Sequence, residues 1–248
     1  MRREGWFKEA VAALRTVLFY VLFGGFVIGV LILCWPLAWL GPSFSHWLFQ
    51  HLTKVLVVAL RVLVGIRVRF ENVEILERAK EEFGCFLLAP KHQSALETLI
   101  FSLFFPRFLT IYKKEINRVP VVSRYMKSMK FIAIDRSSGK KAVQQLLVQG
   151  EKAVEQRLPI LIFPEGTRIP LGQRGRYHAG VALMSSHLHM PIVPVAHNAG
   201  KSFRKGVFAL LPGTLTFRFL EPIPPEGTVS EILQLVEERI EDACATML

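Results

Sequence analysis

The sequence predicts an α/β fold: a largely parallel central sheet flanked by helices, preceded by a membrane-associated helical hairpin. Two observations predict it. From about Arg67 onward, short runs of Val, Ile, Leu and Phe alternate with amphipathic helical patterns, and strands that are apolar on both sides suit a sheet buried on both faces. Ahead of that point, Thr16 to Leu40 carries no charged residue. At ~1.5 Å of rise per helical residue, such a run covers the ~30 Å hydrocarbon thickness of a bilayer.

The amino-terminal part, residues 1–65, is expected to be membrane-embedded or re-entrant. Tryptophans 6, 35, 39 and 47 bracket the apolar run, as residues of an interfacial belt do. Arg2, Arg3, Lys8 and Arg15 precede it, and Lys54, Arg61, Arg67 and Arg69 follow it. Basic flanks prefer the cytoplasmic side, and one span cannot keep both there. A hairpin broken near Trp35-Pro36 or Gly41-Pro42, dipping into one leaflet and returning, satisfies that preference. A simple span and a hairpin buried in a soluble core are the alternatives. The run is too long for a signal-peptide core and lacks a small-residue cleavage pattern.

The α/β domain is expected over 66–248. In order, "RVRF" reads as a strand, "VEILERAKEE" as a helix, "CFLLAP" as a strand, "SALETLIFSLFF" as a helix and "FLTIY" as a strand. A short helix around "VVSRYMKS", the strand "FIAI", the long amphipathic helix "KKAVQQLLVQGEKAVEQR" and the strand "PILIF" follow. The helix "HAGVALMSSHL", the strands "IVPVA" and "TLTFRFL", and the terminal helix "SEILQLVEERIEDA" complete the series. No internal repeat or low-complexity tract interrupts it.

Composition narrows the partners. The chain of 248 residues is 51% hydrophobic and carries a formal net charge of +11, which favours anionic surfaces or phosphorylated substrates. From Arg107 to Lys141, basic residues (among them Arg118, Arg124, Lys127, Lys130 and Lys140) outnumber Glu115 and Asp135, a patch suited to an anionic leaflet. Nucleic acid is not indicated, since no binding motif or interleaved aromatic pattern accompanies the charge. Cys34, Cys85 and Cys244 are widely spaced with no CxxC pair, which favours a reducing compartment over a disulfide framework. GxSxG, Walker, GxGxxG and HExxH signatures are absent from the sequence, and His187-Leu188-His189 lacks a third ligand for a metal.

Chemistry concentrates in "LLAPKHQSALETL". His92 follows an apolar strand, where open α/β sheets place their sites. Ser94-Ala95-Leu96-Glu97 has the form of a capping box, with Ser94 as N-cap and Glu97 reaching back. That geometry brings Glu97 towards a histidine just before the helix, although five residues along one continuous helix would not. The alternative is purely structural: Glu97 caps a helix and His92 satisfies a backbone carbonyl. A second cluster is "PILIFPEGTRIP", where Gly166 frees the backbone and Arg168 offers a planar fork suited to phosphate. In a parallel sheet Lys113, Lys114, Arg136 and Arg168 gather at the carboxyl edge that carries His92. A solvated charged face is the alternative for Lys113 and Lys114.

These blocks resemble those of the lysophosphatidic acid acyltransferase family, the 1-acylglycerol-3-phosphate acyltransferases within the wider glycerolipid acyltransferases. His92 and Glu97 fall on the family's His-x4-Asp motif, with Glu in place of Asp. "YKKEINRVP" and "FIAIDR" fall on the lysine- and arginine-bearing blocks, "FPEGTR" matches the third motif, and "PIVPVAHNAG" resembles the fourth. "VVSRYMKSMK" lacks the glycines expected between the second block and the arginine. The resemblance implies a glycerolipid acyltransferase fold and transfer of an acyl group from acyl-CoA or acyl-carrier protein to the sn-2 hydroxyl of lysophosphatidic acid, giving phosphatidic acid. It implies His92 as general base and Glu97 as its orienting carboxylate. Lys113, Lys114, Arg136, Glu165, Gly166, Thr167 and Arg168 would hold substrate, with loop amides near Gly166 at the oxyanion and Glu165 positioning loop cations or substrate hydroxyls. No metal or further cofactor is called for. Membrane lipids, and in one version a carrier protein, are the expected partners. The expected location is a bacterial-type inner membrane with the catalytic domain at its cytoplasmic face.

Overall fold

The computed structural model describes residues 2–135, 139–204 and 206–248. Seven strands form one sheet: β1 (Ile66–Glu71), β2 (Leu87–Pro90), β3 (Leu109–Lys113), β4 (Ile132–Ile134), β5 (Ile160–Leu161), β6 (Ile192–His197) and β7 (Gly213–Phe219). Their spatial order is β1-β7-β6-β2-β5-β3-β4. Every neighbouring pair is parallel except β6–β7, where Val195 faces Phe219 and His197 faces Phe217. The sheet is thus mixed but mostly parallel. Because β2, β3, β4, β5 and β6 all run the same way, their carboxyl ends share one edge.

Helices cover both faces. On one face α7 (Lys140–Glu155), α8 (Gly180–Leu188) and α9 (Val229–Ala245) enclose a core that includes Leu87, Ile160, Ile192, Val181 and Val236. A capping box fixes the start of α9: the Thr228 hydroxyl accepts from the Glu231 amide while Glu231 reaches back to the Thr228 amide. On the other face lie α4 (Val73–Phe83), α5 (Leu96–Phe101), α6 (Pro120–Ser128) and the amino-terminal helices.

Those amino-terminal helices form the expected hairpin. One arm runs through α1 (Arg2–Phe19), a single π turn and α2 (Gly25–Leu33); the other is α3 (Pro42–Ala59), extended by a π turn to Val64. A turn containing a short 3-10 segment, Pro36–Leu40, joins them. Glu9–Leu33 and Pro42–Val64 are each long and apolar enough to cross a membrane, yet only 11% and 28% of their apolar windows are buried in the protein. This exposure distinguishes them from core helices and is consistent with membrane association.

The hairpin is not a free appendage. Phe19, Leu48, Leu56, Leu60 and Val64 belong to the same core as Ile66, Leu88 and Phe217 of the sheet. Its tip is also bonded to α6. The Tyr125 hydroxyl donates to the Leu31 carbonyl at 3.0 Å, and the Ser128 hydroxyl reaches the Ala38 and Gly41 carbonyls at 3.0 and 3.2 Å. The Arg124 guanidinium lies 3.8 Å from the Trp39 ring centroid, a cation–π contact.

The helix expected over 94–105 is shorter, Leu96–Phe101. The Ser102 hydroxyl donates back to the Leu99 carbonyl at 2.6 Å, and the Gln50 amide of α3 takes the Ser102 and Phe105 carbonyls. These long-range partners satisfy the chain where further helical bonds would otherwise be needed.

Candidate active site

His92 sits just beyond β2, at the shared carboxyl edge. Its backbone is pinned from both sides by the loop after β5. The His92 amide donates to Glu165 Oε2 at 3.1 Å, and its carbonyl accepts from the Ile169 amide at 2.8 Å. Its ring stacks on Phe163, with centroids 4.0 Å apart and planes 25° from parallel. The "FPEGTR" loop therefore acts first as a clamp on the histidine.

The ring's Nδ1 is sealed from solvent and lies 3.5 Å from Glu97 Oε2. Among the described residues neither atom has a closer hydrogen-bond partner. The other Glu97 oxygen, Oε1, accepts from the Gln93 and Ser94 amides at 3.2 and 2.6 Å. Glu97 thus caps the helix start with one oxygen and faces the histidine with the other. The Ser94 hydroxyl accepts from the Leu96 amide at 3.0 Å, two residues on, so the forward limb of the expected capping box is a tighter turn. Glu97 is fully buried; burial alone would raise its pKa, but its contacts with the His92 and His197 rings and its backbone bonds prevail and hold it below the ordinary carboxyl value.

A second histidine supports the first. His197, at the end of β6, directs Nε2 to the Lys91 carbonyl at 2.6 Å, and its Nδ1 accepts from the Ala199 amide at 3.3 Å. One nitrogen donates and the other accepts, which is the pattern of a neutral ring. Burial lowers its pKa against the opposing pull of Glu97. Three residues on, the Gly200 amide donates to the Gln93 side chain at 2.8 Å. A Cβ at Gly200 would come within 2.9 Å of Leu171, so this close approach requires glycine. The block "HNAG" is a strap over the segment that carries His92.

Beneath the site lies a buried ionic cluster centred on Lys91, which is 1% exposed. Its ammonium pairs with Glu241 of α9, donates to the Gln173 carbonyl at 3.1 Å and lies 3.8 Å from Glu165 Oε1. The Tyr177 hydroxyl donates to Glu241 at 3.0 Å. Burial pushes the Glu165 carboxyl up to about 8, against the pull of Lys91. Glu165, expected to position loop cations or substrate hydroxyls, instead points inward and joins the His92 amide to this cluster.

The remaining expected residues are placed as follows. Lys113 and Lys114 are exposed at the end of β3, and Lys113 lies 3.4 Å from Glu115. In the order β2-β5-β3, at ~4.8 Å per strand, the ends of β2 and β3 are about 10 Å apart. Arg168 is exposed and adjacent to Ile169, which bonds the His92 carbonyl. Arg136 lies outside the described residues. Gly166 has φ +63°, a conformation that favours glycine, and its amide donates to the Phe163 carbonyl at 3.1 Å. With the Gly166 and Ile169 amides engaged, neither is available to the oxyanion as the sequence reading expected. Thr167 is exposed, between Gly166 and Arg168.

A family model described as Acyltransferase matches residues 67–198, which contain Lys91, His92, Glu97, Glu165, Arg168 and His197. A 1-acyl-sn-glycerol-3-phosphate acyltransferase of Pseudomonas aeruginosa is 35% identical over 245 residues, covering 96% of this chain and 93% of that protein. The chain belongs to the acyltransferase family. A human relative, 1-acyl-sn-glycerol-3-phosphate acyltransferase beta, is 30% identical over 174 residues, covering 68% of this chain and 61% of its own. The crystal structure of PlsC, the 1-acyl-sn-glycerophosphate acyltransferase of Thermotoga maritima, matches with a TM-score of 0.71. It covers 100% of this chain and 98% of that one at 18% identity, so the fold is shared along the whole length.

Within this acyltransferase, reading the sequence missed Lys91 and Glu241 and left His197 unassigned. The lysine precedes His92 directly, but its partner is 150 residues away, and no spacing rule links them. His197 had a local signal in the turn sequence "HNAG". An apolar cavity of about 150 Å³ lies between the hairpin and α5–α6, lined by residues such as Phe23, Leu31, Leu52 and Tyr125. A larger one, about 420 Å³, lies beside Phe163, Thr167 and His178 on the opposite face.

Proposed function

We propose that this acyltransferase moves an acyl group from a thioester donor, acyl-CoA or acyl-carrier protein, to the sn-2 hydroxyl of 1-acyl-sn-glycerol 3-phosphate, producing phosphatidic acid. The observation that carries the reading is His92 Nδ1 facing the buried Glu97 carboxylate at 3.5 Å, at the strand edge that also bears Lys113, Lys114 and Arg168. The names of the relatives support the acceptor.

With Nδ1 committed to Glu97, Nε2 is the nitrogen left to receive the hydroxyl proton. As the alcohol oxygen bonds to the thioester carbon, Nε2 takes its proton and Glu97 stabilises the imidazolium. The C–S bond then breaks, and the thiolate leaves with the proton returned by His92. No covalent enzyme intermediate is needed. The 3.5 Å contact is loose, as in many ligand-free sites, and tightens when substrate excludes water. Arg168, with Lys113, Lys114 and Arg136, holds the acceptor phosphate, the arginines by paired hydrogen bonds.

Placement in one leaflet of a bacterial-type inner membrane, catalytic domain on the cytoplasmic side, belongs to the same proposal. The bonds from Tyr125 and Ser128 to the hairpin tip support it: a crossing hairpin would carry its tip to the far side, away from α6. The largely exposed helices then face acyl chains, and the exposed Trp39 and Trp47 suit the interfacial zone. The deciding experiment is thiol release from acyl-CoA and acyl-carrier protein by purified protein, with lysophosphatidic acid, glycerol 3-phosphate and lyso-aminolipids as acceptors. Release with lysophosphatidic acid, lost in His92→Ala, is expected. Release only with another acceptor overturns the substrate assignment, and release unaffected by His92→Ala overturns the mechanism.

A further inference from the structure

The connection between β6 and β7 carries Val207 and Phe208, which are 51% and 60% exposed. Single exposed apolar residues are ordinary on protein surfaces, so exposure alone says nothing. The neighbours are what matter. The Phe208 ring packs against Tyr20, centroids 5.4 Å apart, and Tyr20 lies midway along the apolar stretch Glu9–Leu33. Around Tyr20, the residues Leu14, Val17 and Val21 are exposed in turn. The loop therefore extends the apolar face of the hairpin sideways.

Its depth is fixed as well. The Leu210 amide donates to the buried Thr16 hydroxyl at 2.8 Å, and that hydroxyl donates to the Ala12 carbonyl at 2.7 Å. This bond holds the loop at the level of the helix. On the chain just before the apolar pair, Lys201 and Arg204 are exposed, placed as cations that meet anionic headgroups while neighbouring side chains enter the acyl region.

We propose that Val207 and Phe208 form a second lipid-contacting element, entering the same leaflet as the hairpin, with an anionic lipid surface as its partner. The inference rests on the hairpin being seated in a membrane, as proposed above.

The test uses the full-length protein with Cys34, Cys85 and Cys244 replaced by alanine and an environment-sensitive fluorophore on Phe208→Cys. A matched protein carries the fluorophore on Val58→Cys, 60% exposed on α3. Both are placed in vesicles of phosphatidylethanolamine and phosphatidylglycerol containing acyl-chain nitroxide lipids, and retained activity verifies the fold. Quenching of both labels by nitroxide, with position 208 shielded from aqueous iodide, is the expected result. Quenching at 58 with iodide access at 208 overturns the loop and leaves the hairpin reading intact. Failure to quench at 58 overturns the hairpin reading and the loop with it. Shielding of 208 from both quenchers would place a second protein copy on the loop and also overturns the inference.

Discussion

His92 Nδ1 and Glu97 Oε2 lie 3.5 Å apart, each without a closer hydrogen-bond partner among the described residues. The carboxylate's second oxygen meanwhile caps the helix that begins at Leu96. Removing the base should lower kcat about 10²–10⁴-fold in His92→Ala, with little change in acceptor KM. Steady-state kinetics on vesicles or mixed micelles measures it, and wild-type turnover would remove the base from the mechanism.

Glu97→Gln keeps the side chain's length but loses its charge. The amide oxygen can still cap the helix, so the protein should fold, while the imidazolium loses its stabiliser. A fall in kcat with nearly unchanged melting temperature is expected. Glu97→Asp, one methylene shorter, cannot keep both the cap and the His92 contact, so it should lose activity, stability or both. Paired melting and rate measurements distinguish these cases.

Arg168→Ala should mainly raise the acceptor's apparent KM, because the side chain is exposed beside the site and offers a planar fork suited to phosphate. An unchanged KM for lysophosphatidic acid would argue against a phosphate role.

The Glu165 carboxyl, pushed up to about 8 by burial, ties stability to pH. The folded protein holds a proton that the unfolded chain releases above its ordinary value of 4.5. Its contribution is fully present below that value and is lost as pH rises towards about 8. Thermal unfolding of wild type should therefore decline more steeply than that of Glu165→Gln between roughly pH 5 and 8. Parallel curves would remove the protonated carboxyl from the cluster.

Breaking the Lys91–Glu241 pair from one side leaves a buried charge, a loss of about 3–5 kcal/mol. Lys91→Met alone should therefore destabilise strongly. Lys91→Met with Glu241→Leu, which removes both charges, should recover most of the stability. Chemical denaturation of the wild type, Lys91→Met, Glu241→Leu and the double variant forms the cycle, and additive losses would show that the two residues act separately.

Most of the sheet was legible because its strands are buried on both faces and written as continuous apolar runs; "IVPVA" became Ile192–His197 with every residue buried. The antiparallel placement of β7 was not legible, since "TLTFRFL" reads alike in either direction. The turn from His92 to Glu97 was written locally in "HQSALE". The clamp by Phe163, Glu165 and Ile169 was not, because its contacts join residues more than 70 positions apart. The fate of Glu165 also escaped: a glutamate in a glycine turn reads as exposed, and only Lys91 and Glu241 explain why it is drawn inward.

The bonds between α6 and the hairpin tip, with the core beneath them, join hairpin and sheet into one unit. Phe19, Leu48 and Leu56 of the hairpin lie in the same core as Leu215 and Phe217 of β7. A shortened chain beginning at Ile66 would expose the sheet face those residues cover, and would aggregate rather than yield a soluble catalyst.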